Sequence, residues 1–239
     1  SRSMCPACKK KIKWHHLVPV FSWLFLRGKC AYCGEKISVH YLMLELLTGL
    51  IFLFTFLNFN FLEIIPTITN SEFLNYQINW LLFEKFFFYI VEFSLLIGIF
   101  FYDIQYKEIP DQLSLPAIAI AIIGNLTFGE PNLINMLIGG AGIFSFFLLQ
   151  FVLSKGNWIG GGDIRLGALI GVLLGWEMGL LALVISYLIG GIFSIYLLAT
   201  KKVQRKTQIP FGPFLVSAII ITVFYGDSIL DWYFNGLVI

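Results

Sequence analysis

The sequence predicts an all-α polytopic membrane protein of about seven transmembrane helices, preceded by a small cysteine-bearing N-terminal segment. Three observations lead there. Of the 239 residues, 58% are hydrophobic and only 13% charged, too few polar side chains to cover a soluble domain of this size. The apolar residues are gathered into runs long enough to cross a bilayer. All four cysteines lie near the start, as two C-x2-C pairs.

A spanning helix needs about 20 mostly apolar residues, because hydrocarbon offers the backbone no hydrogen-bond partner. Seven runs meet that need: roughly 41–57, 86–102, 112–128, 133–153, 164–177, 178–199 and 211–226. The fifth passes almost directly into the sixth, so Glu177 is expected to mark a tight turn. Gly139, Gly140, Gly142, Gly171, Gly175, Gly190 and Gly191 fall inside spans, where small residues let helices pack closely. The many phenylalanines read as lipid-facing bulk.

Charge sorting gives the orientation, since short cytoplasmic loops are enriched in Lys and Arg. With the N-terminal segment inside, the inner loops hold Arg2, Lys9, Lys10, Lys11, Lys13, Arg27, Lys29 and Lys36, then Lys107, then Lys155 and Arg165. The last inner loop adds Lys201, Lys202, Arg205 and Lys206, so 15 of the 16 basic residues are inside. Lys85 alone is left outside, beside Glu63, Glu72, Glu84, Glu130, Glu177, Asp227 and Asp231. The N-terminal segment and the basic loops are thus expected on the cytoplasmic side, with membrane lipid as a constant partner. A net charge of +2 gives no reason to expect nucleic acid.

Cys5-Pro-Ala-Cys8 and Cys30-Ala-Tyr-Cys33 are separated by 21 residues. Two such knuckles are what tetrahedral zinc coordination by four thiolates requires. The rival reading is a pair of disulfides, which a reducing cytoplasm disfavours. Zn2+ held by Cys5, Cys8, Cys30 and Cys33 would be structural, because four thiolates leave no open position for substrate. Between the knuckles, the apolar stretch from Trp14 to Arg27 is too short to span and is expected on the membrane surface or against the metal fold. His15 and His16, within it, are expected to be neither ligands nor catalytic.

Asp103 and Asp163 each stand where an apolar run meets a polar loop, and the topology puts both at the cytoplasmic face. An ionisable group at a membrane boundary is costly unless it has a partner or a task. Two carboxylates at one depth, if they approach, share a proton, so that one can activate water while the other protonates the leaving amine. That is the chemistry of a membrane aspartyl protease. Gly160, Gly161 and Gly162 before Asp163 would let backbone lie close to an extended substrate. The plainer reading makes Asp163 a helix cap, Asp103 a juxtamembrane charge and Asp111, after Pro110, another cap. Spacing by itself does not choose Asp103 over Asp111 as the partner of Asp163.

The stretch from Met4 to Gly49 contains CPAC, KWHHLVPVFSWLFLRGKCAYC and YLMLELLTG. With FYDIQYKEIPDQLSLP at 101–116, GNWIGGGDIRLGALIG at 156–171 and IPFGPF at 209–214, it resembles the type IV prepilin peptidases, in the family's order and over nearly the whole chain. The resemblance implies a bifunctional enzyme of the bacterial cytoplasmic (inner) membrane. Such an enzyme cuts the basic leader from prepilins and pseudopilins after a glycine, then methylates the new N-terminus with S-adenosylmethionine. Asp103 matches the first catalytic aspartate, in the D-x6-P-D stretch, and Asp163 the second, in the GxGD motif. Gly160, Gly161, Gly162, Lys107 and Asp111 become catalytic-loop support. Presenilin-type proteases share GxGD but lack the cysteine segment. The family has a further apolar helix, with a glycine- and asparagine-bearing stretch, ahead of the position of Ser1. That helix would run inward and leave the later topology unchanged, and cleavage is implied more directly than methyl transfer.

The expected domains are a cytoplasmic, methyltransferase-associated zinc segment at 1–40 and a peptidase bundle at 41–239. Glu45, about one turn inside the first span, is the methyltransferase candidate. Glu92 lies 11 residues before Asp103, on the same helical face but about 16 Å away, too far for direct catalysis and read as a buried polar contact. Two other classes fit intramembrane acids. An ion- or proton-coupled transporter would show ion flux without aspartate-dependent proteolysis, and a secretion-assembly scaffold would tolerate loss of both aspartates.

Overall fold

A computed structural model of the chain describes residues 3–59, 62–65, 75–201 and 209–236. Arg2, Glu72, Lys202, Arg205 and Lys206, used in the charge sorting, lie outside these residues. The chain divides into two compact units, 1–56 and 57–239.

The first unit holds a single turn of 3-10 helix at Trp14–His16, the short helix α1 (Phe21–Phe25) and most of α2 (Val39–Asn58). α2 is a 20-residue apolar helix, the first of the expected spans. The second unit contains a two-stranded antiparallel pair, β1 (Leu62–Ile65) and β2 (Asn75–Ile78), with Leu62 opposite Ile78. After it in the chain come α3 (Trp80–Tyr106), α4 (Asp111–Phe128), α5 (Leu133–Ser154), α6 (Gly161–Ala199) and α7 (Gly212–Gly236). Six helices among the described residues are long and apolar enough to cross a membrane, so the protein is a multi-pass membrane protein.

The sixth expected boundary is inside α6. This 39-residue segment is broken at Gly175, with φ 76° and ψ −168°, a conformation that only glycine enters readily. A Cβ built on Gly179 would lie 3.6 Å from Gly171 Cα, whereas eight residues of straight helix separate Cα atoms by about 12 Å. α6 therefore folds back as a hairpin of two arms, 161–174 and 176–199, which correspond to the fifth and sixth expected runs. The turn sits at Gly175, not at Glu177, because a sharp reversal needs the permissive backbone more than it needs a charge.

A helix break inside an apolar bundle frees backbone groups that lipid cannot satisfy. Two asparagines meet that need. Asn125 of α4 donates Nδ2 to the carbonyls of Val172 (2.7 Å) and Leu173 (3.3 Å), and Asn135 of α5 accepts the Trp176 N–H at 2.6 Å. Gly139 lets α5 approach the first arm so closely that an added Cβ would stand 2.7 Å from Gly171 O. α3 and α7 run antiparallel, joined at one end by Asp103 and Gly212 and further along by the Phe93 and Phe224 rings, 5.4 Å apart. Not all aromatic bulk faces lipid: Phe93 and Phe147 are among the most buried side chains.

Candidate functional site

α3 ends just past Asp103. Lys107 takes a left-handed conformation (φ 56°) and returns its N–H to the Asp103 carbonyl at 2.8 Å, and Pro110 follows immediately before α4. The Asp103 side chain is buried, 4% exposed, and its Oδ2 accepts the Gly212 N–H at the start of α7, at 2.9 Å. Asp163 is the third residue of α6, 7% exposed, and its Oδ2 accepts the Gly160 N–H at 2.9 Å. Carboxylates in the first turn also complement the positive end of the helix dipole. Each acid thus has one oxygen fixed by a backbone donor and a second oxygen without a hydrogen bond among the described residues. Asp103 lies close enough to Asp163 to act on it electrostatically.

The loop between α3 and α4 is fastened to the start of α6. Ile109 packs so closely on Gly162 that an added Cβ would meet Ile109 Cβ at 2.6 Å. Asp111 forms an ion pair with Arg165 at the exposed edge. Burial thus separates two acids that spacing by itself did not, with Asp103 inside and Asp111 outside on an arginine. Lys107, Gly160 and Gly161 are exposed. The contact that sequence reasoning missed is Gly212. A Cβ there would stand 2.6 Å from Asp103 Oδ2, and the only signal was a glycine between two aromatics in IPFGPF. Glu92 is fully buried and neither carboxylate oxygen has a hydrogen-bond partner, so the expected polar contact is absent among the described residues.

In the first unit the two cysteine knuckles repeat one backbone design. Cys5 N–H bonds to Lys10 O and Lys9 N–H to Cys5 O, as Cys30 N–H bonds to Glu35 O and Gly34 N–H to Cys30 O. The residue after each second cysteine, Lys9 or Gly34, has a positive φ of 56° or 72°. The four thiols lie within 4.8 Å of one another, none in a disulfide, and Cys5 Sγ is 3.9 Å from Cys33 Sγ. A tetrahedron of thiolates about 2.3 Å from a metal has edges of about 3.8 Å, so the cluster could hold a metal ion. The backbone N–H groups of Tyr32 and Cys33 lower the Cys30 thiol to about 7, favouring its thiolate, while burial and the neighbouring thiols push Cys33 up to about 12.

Glu45, nearly two turns into α2, accepts the Val20 N–H at 2.7 Å. Val20 itself has φ 64° and ψ −57°, and Phe21 N–H closes on Pro19 O at 2.6 Å. This is a γ-turn of the rare positive-φ kind, strained for a β-branched residue. The carboxylate therefore holds the Pro19–Phe21 turn in a conformation the chain would not choose unaided.

By fold and site, the chain is a multi-pass membrane protein with a buried pair of carboxylates and a four-thiol cluster. Its residues 1–59 match the bacterial peptidase A24 N-terminal domain, and residues 90–195 match the type IV leader peptidase family. It is similar to a prepilin leader peptidase/N-methyltransferase of Aeromonas salmonicida, 31% identical over 99% of this chain and 75% of the relative. Relatives of the same description in Legionella pneumophila (31%; 97% and 75%) and Bacillus subtilis (30%; 97% and 85%) match similarly. No solved structure matches. The chain belongs to the type IV leader peptidase family.

Proposed function

We propose that the protein cleaves the leader peptide of type IV prepilins or pseudopilins at the cytoplasmic face of a bacterial inner membrane, and that it N-methylates the new terminus with S-adenosylmethionine. The observation that carries the reading is that Asp103 and Asp163 are both buried and near enough to interact electrostatically, each with one oxygen fixed by a backbone N–H and the other without a hydrogen bond among the described residues. Free oxygens on two neighbouring carboxylates suit a shared-proton pair. One takes a proton from water as the water attacks the scissile carbonyl, and the other gives a proton to the departing amine. Gly212 and Gly160 orient the acids, while Ile109 and the Asp111–Arg165 pair fix the loop between them.

Cys5, Cys8, Cys30 and Cys33 would hold Zn2+ in a structural role, leaving the metal outside the hydrolytic step. Glu45, through the turn at Val20, is the positioning residue for methyl transfer in the N-terminal unit. The inward orientation of that unit is supported by the charge sorting. The test is mass spectrometry of a prepilin incubated with the purified protein and S-adenosylmethionine. A new terminus after the leader glycine reports cleavage, and a further gain of one CH2 reports methylation. An uncut prepilin overturns the peptidase reading, and a cut but unmethylated one overturns the methyltransferase half.

A further inference from the structure

An open groove of about 560 Å3 runs along the bundle between α5 and the second arm of α6, with Gly142 and Ile143 on one side and Leu180, Val184, Tyr187 and Leu188 on the other. The residues from α6 recur at spacings of three to four, so the groove follows the helix axis. From Leu180 to Leu188 it is about 12 Å long, with a mean cross-section of about 45 Å2, so an α-helix about 10 Å across would lie partly sunk in it.

Its position ties it to the aspartates. Asp163 and Tyr187 stand 12 residues before and 12 residues after the break at Gly175, so on the two antiparallel arms they are level. From that level the groove extends toward Leu180 and the turn of the hairpin, away from the end of the bundle that carries the acids. The Tyr187 ring packs on Phe211, centroids 5.1 Å apart, and the next residue, Gly212, holds Asp103. Ile143 of the groove wall packs on Gly167, one turn from Asp163. Both carboxylates thus have a support that reaches the groove.

We propose that this groove seats the apolar helix that follows the scissile bond in the substrate. The inference rests on the peptidase reading and adds where the substrate lies. A helix in the groove would have its end at the level of Asp103 and Asp163, so its preceding residues unwind over the acids while the basic leader stays in water. The lining offers no charge to the leader itself and suits only an apolar occupant.

Two measurements on the full chain test it. An added Cβ at Gly142 meets nothing within 4 Å, so Gly142→Phe projects a ring into the groove. It is expected to lower the ratio of kcat/KM for intact prepilin to that for a soluble leader peptide without the helix by about tenfold, the equivalent of about 1.4 kcal/mol. Independently, a photoreactive benzoylphenylalanine at Val184, in protein carrying Asp163→Asn, is expected to form adducts with intact prepilin. The same probe at Ile123, equally exposed but on α4, is expected to form none. Cleavage by the unsubstituted protein with an unshifted ratio in Gly142→Phe overturns the groove alone, as do adducts at Val184 confined to phospholipid. Failure of the unsubstituted protein to cut either substrate, with no adducts, overturns the groove and the peptidase reading together.

Discussion

The thiol cluster and the carboxylate pair are built on opposite plans. The four cysteines come from two short knuckles, each closed by its own local backbone hydrogen bonds. The two aspartates lie 60 residues apart in sequence and are held by groups from other parts of the bundle: Gly212 of α7 on Asp103, and Ile109 of the α3–α4 loop on the start of α6. A site built locally should fail only when its own ligands are changed. A site built collectively should fail from a distance.

The largest effect expected is at the acids themselves. Asp103→Asn or Asp163→Asn should lower prepilin cleavage about 1000-fold in a gel assay while the protein remains inserted and its metal content stays intact. Full cleavage by either variant would break the assignment. Next comes the remote support. Gly212→Val, with its Cβ forced against Asp103 Oδ2, should cost about 100-fold in kcat through misplacement of the carboxylate, with little change in metal content. Normal turnover would show that the α7 contact does not position the acid.

The converse change sharpens the same contrast from the other side. Cys5→Ser combined with Cys8→Ser should remove the bound metal, one per chain by elemental analysis, and reduce methyl transfer by about tenfold or more, while most peptide cleavage survives. Loss of both activities together would mean that the two sites are not independent. Smaller effects are expected in the scaffold. Asn125→Leu would leave the Val172 and Leu173 carbonyls unpaired in an apolar interior, costing about 1–3 kcal/mol and lowering the thermal midpoint by about 3–10 °C. The smallest change is expected at Glu92. Replacing this buried carboxyl, which has no hydrogen-bond partner among the described residues, with methionine should raise stability by no more than about 1 kcal/mol, or about 2–4 °C in the thermal midpoint, and a fall would point to a polar partner that Glu92 needs.

Much of this was legible in the sequence. Apolar run length located the crossings because a bilayer has a fixed thickness and tolerates no unsatisfied backbone. The C-x2-C spacing identified the thiol cluster because ligand geometry is local. The position of the hairpin turn was missed by two residues: an acidic side chain at Glu177 looked like an interface marker, while the backbone freedom of Gly175 decided the matter. Asn125 and Asn135 gave no sequence signal at all, since their partners are carbonyls and an N–H freed by a break on another helix.

The sequence by itself determined the membrane class, the grouping of four thiols that could hold a metal and, through its motifs, the candidacy of Asp103 and Asp163. Only the tertiary structure showed that Asp103 is buried and Asp111 exposed. Asp103 and Asp111 sit in one stretch with similar local surroundings, and what separates them comes from distant residues, with Gly212 drawing one carboxylate into the bundle and Arg165 holding the other at its edge. Composition and spacing follow from the medium and from the reach of a short chain. The burial of one carboxylate and the exposure of another depend on helices far apart in sequence, and only their packing sets it.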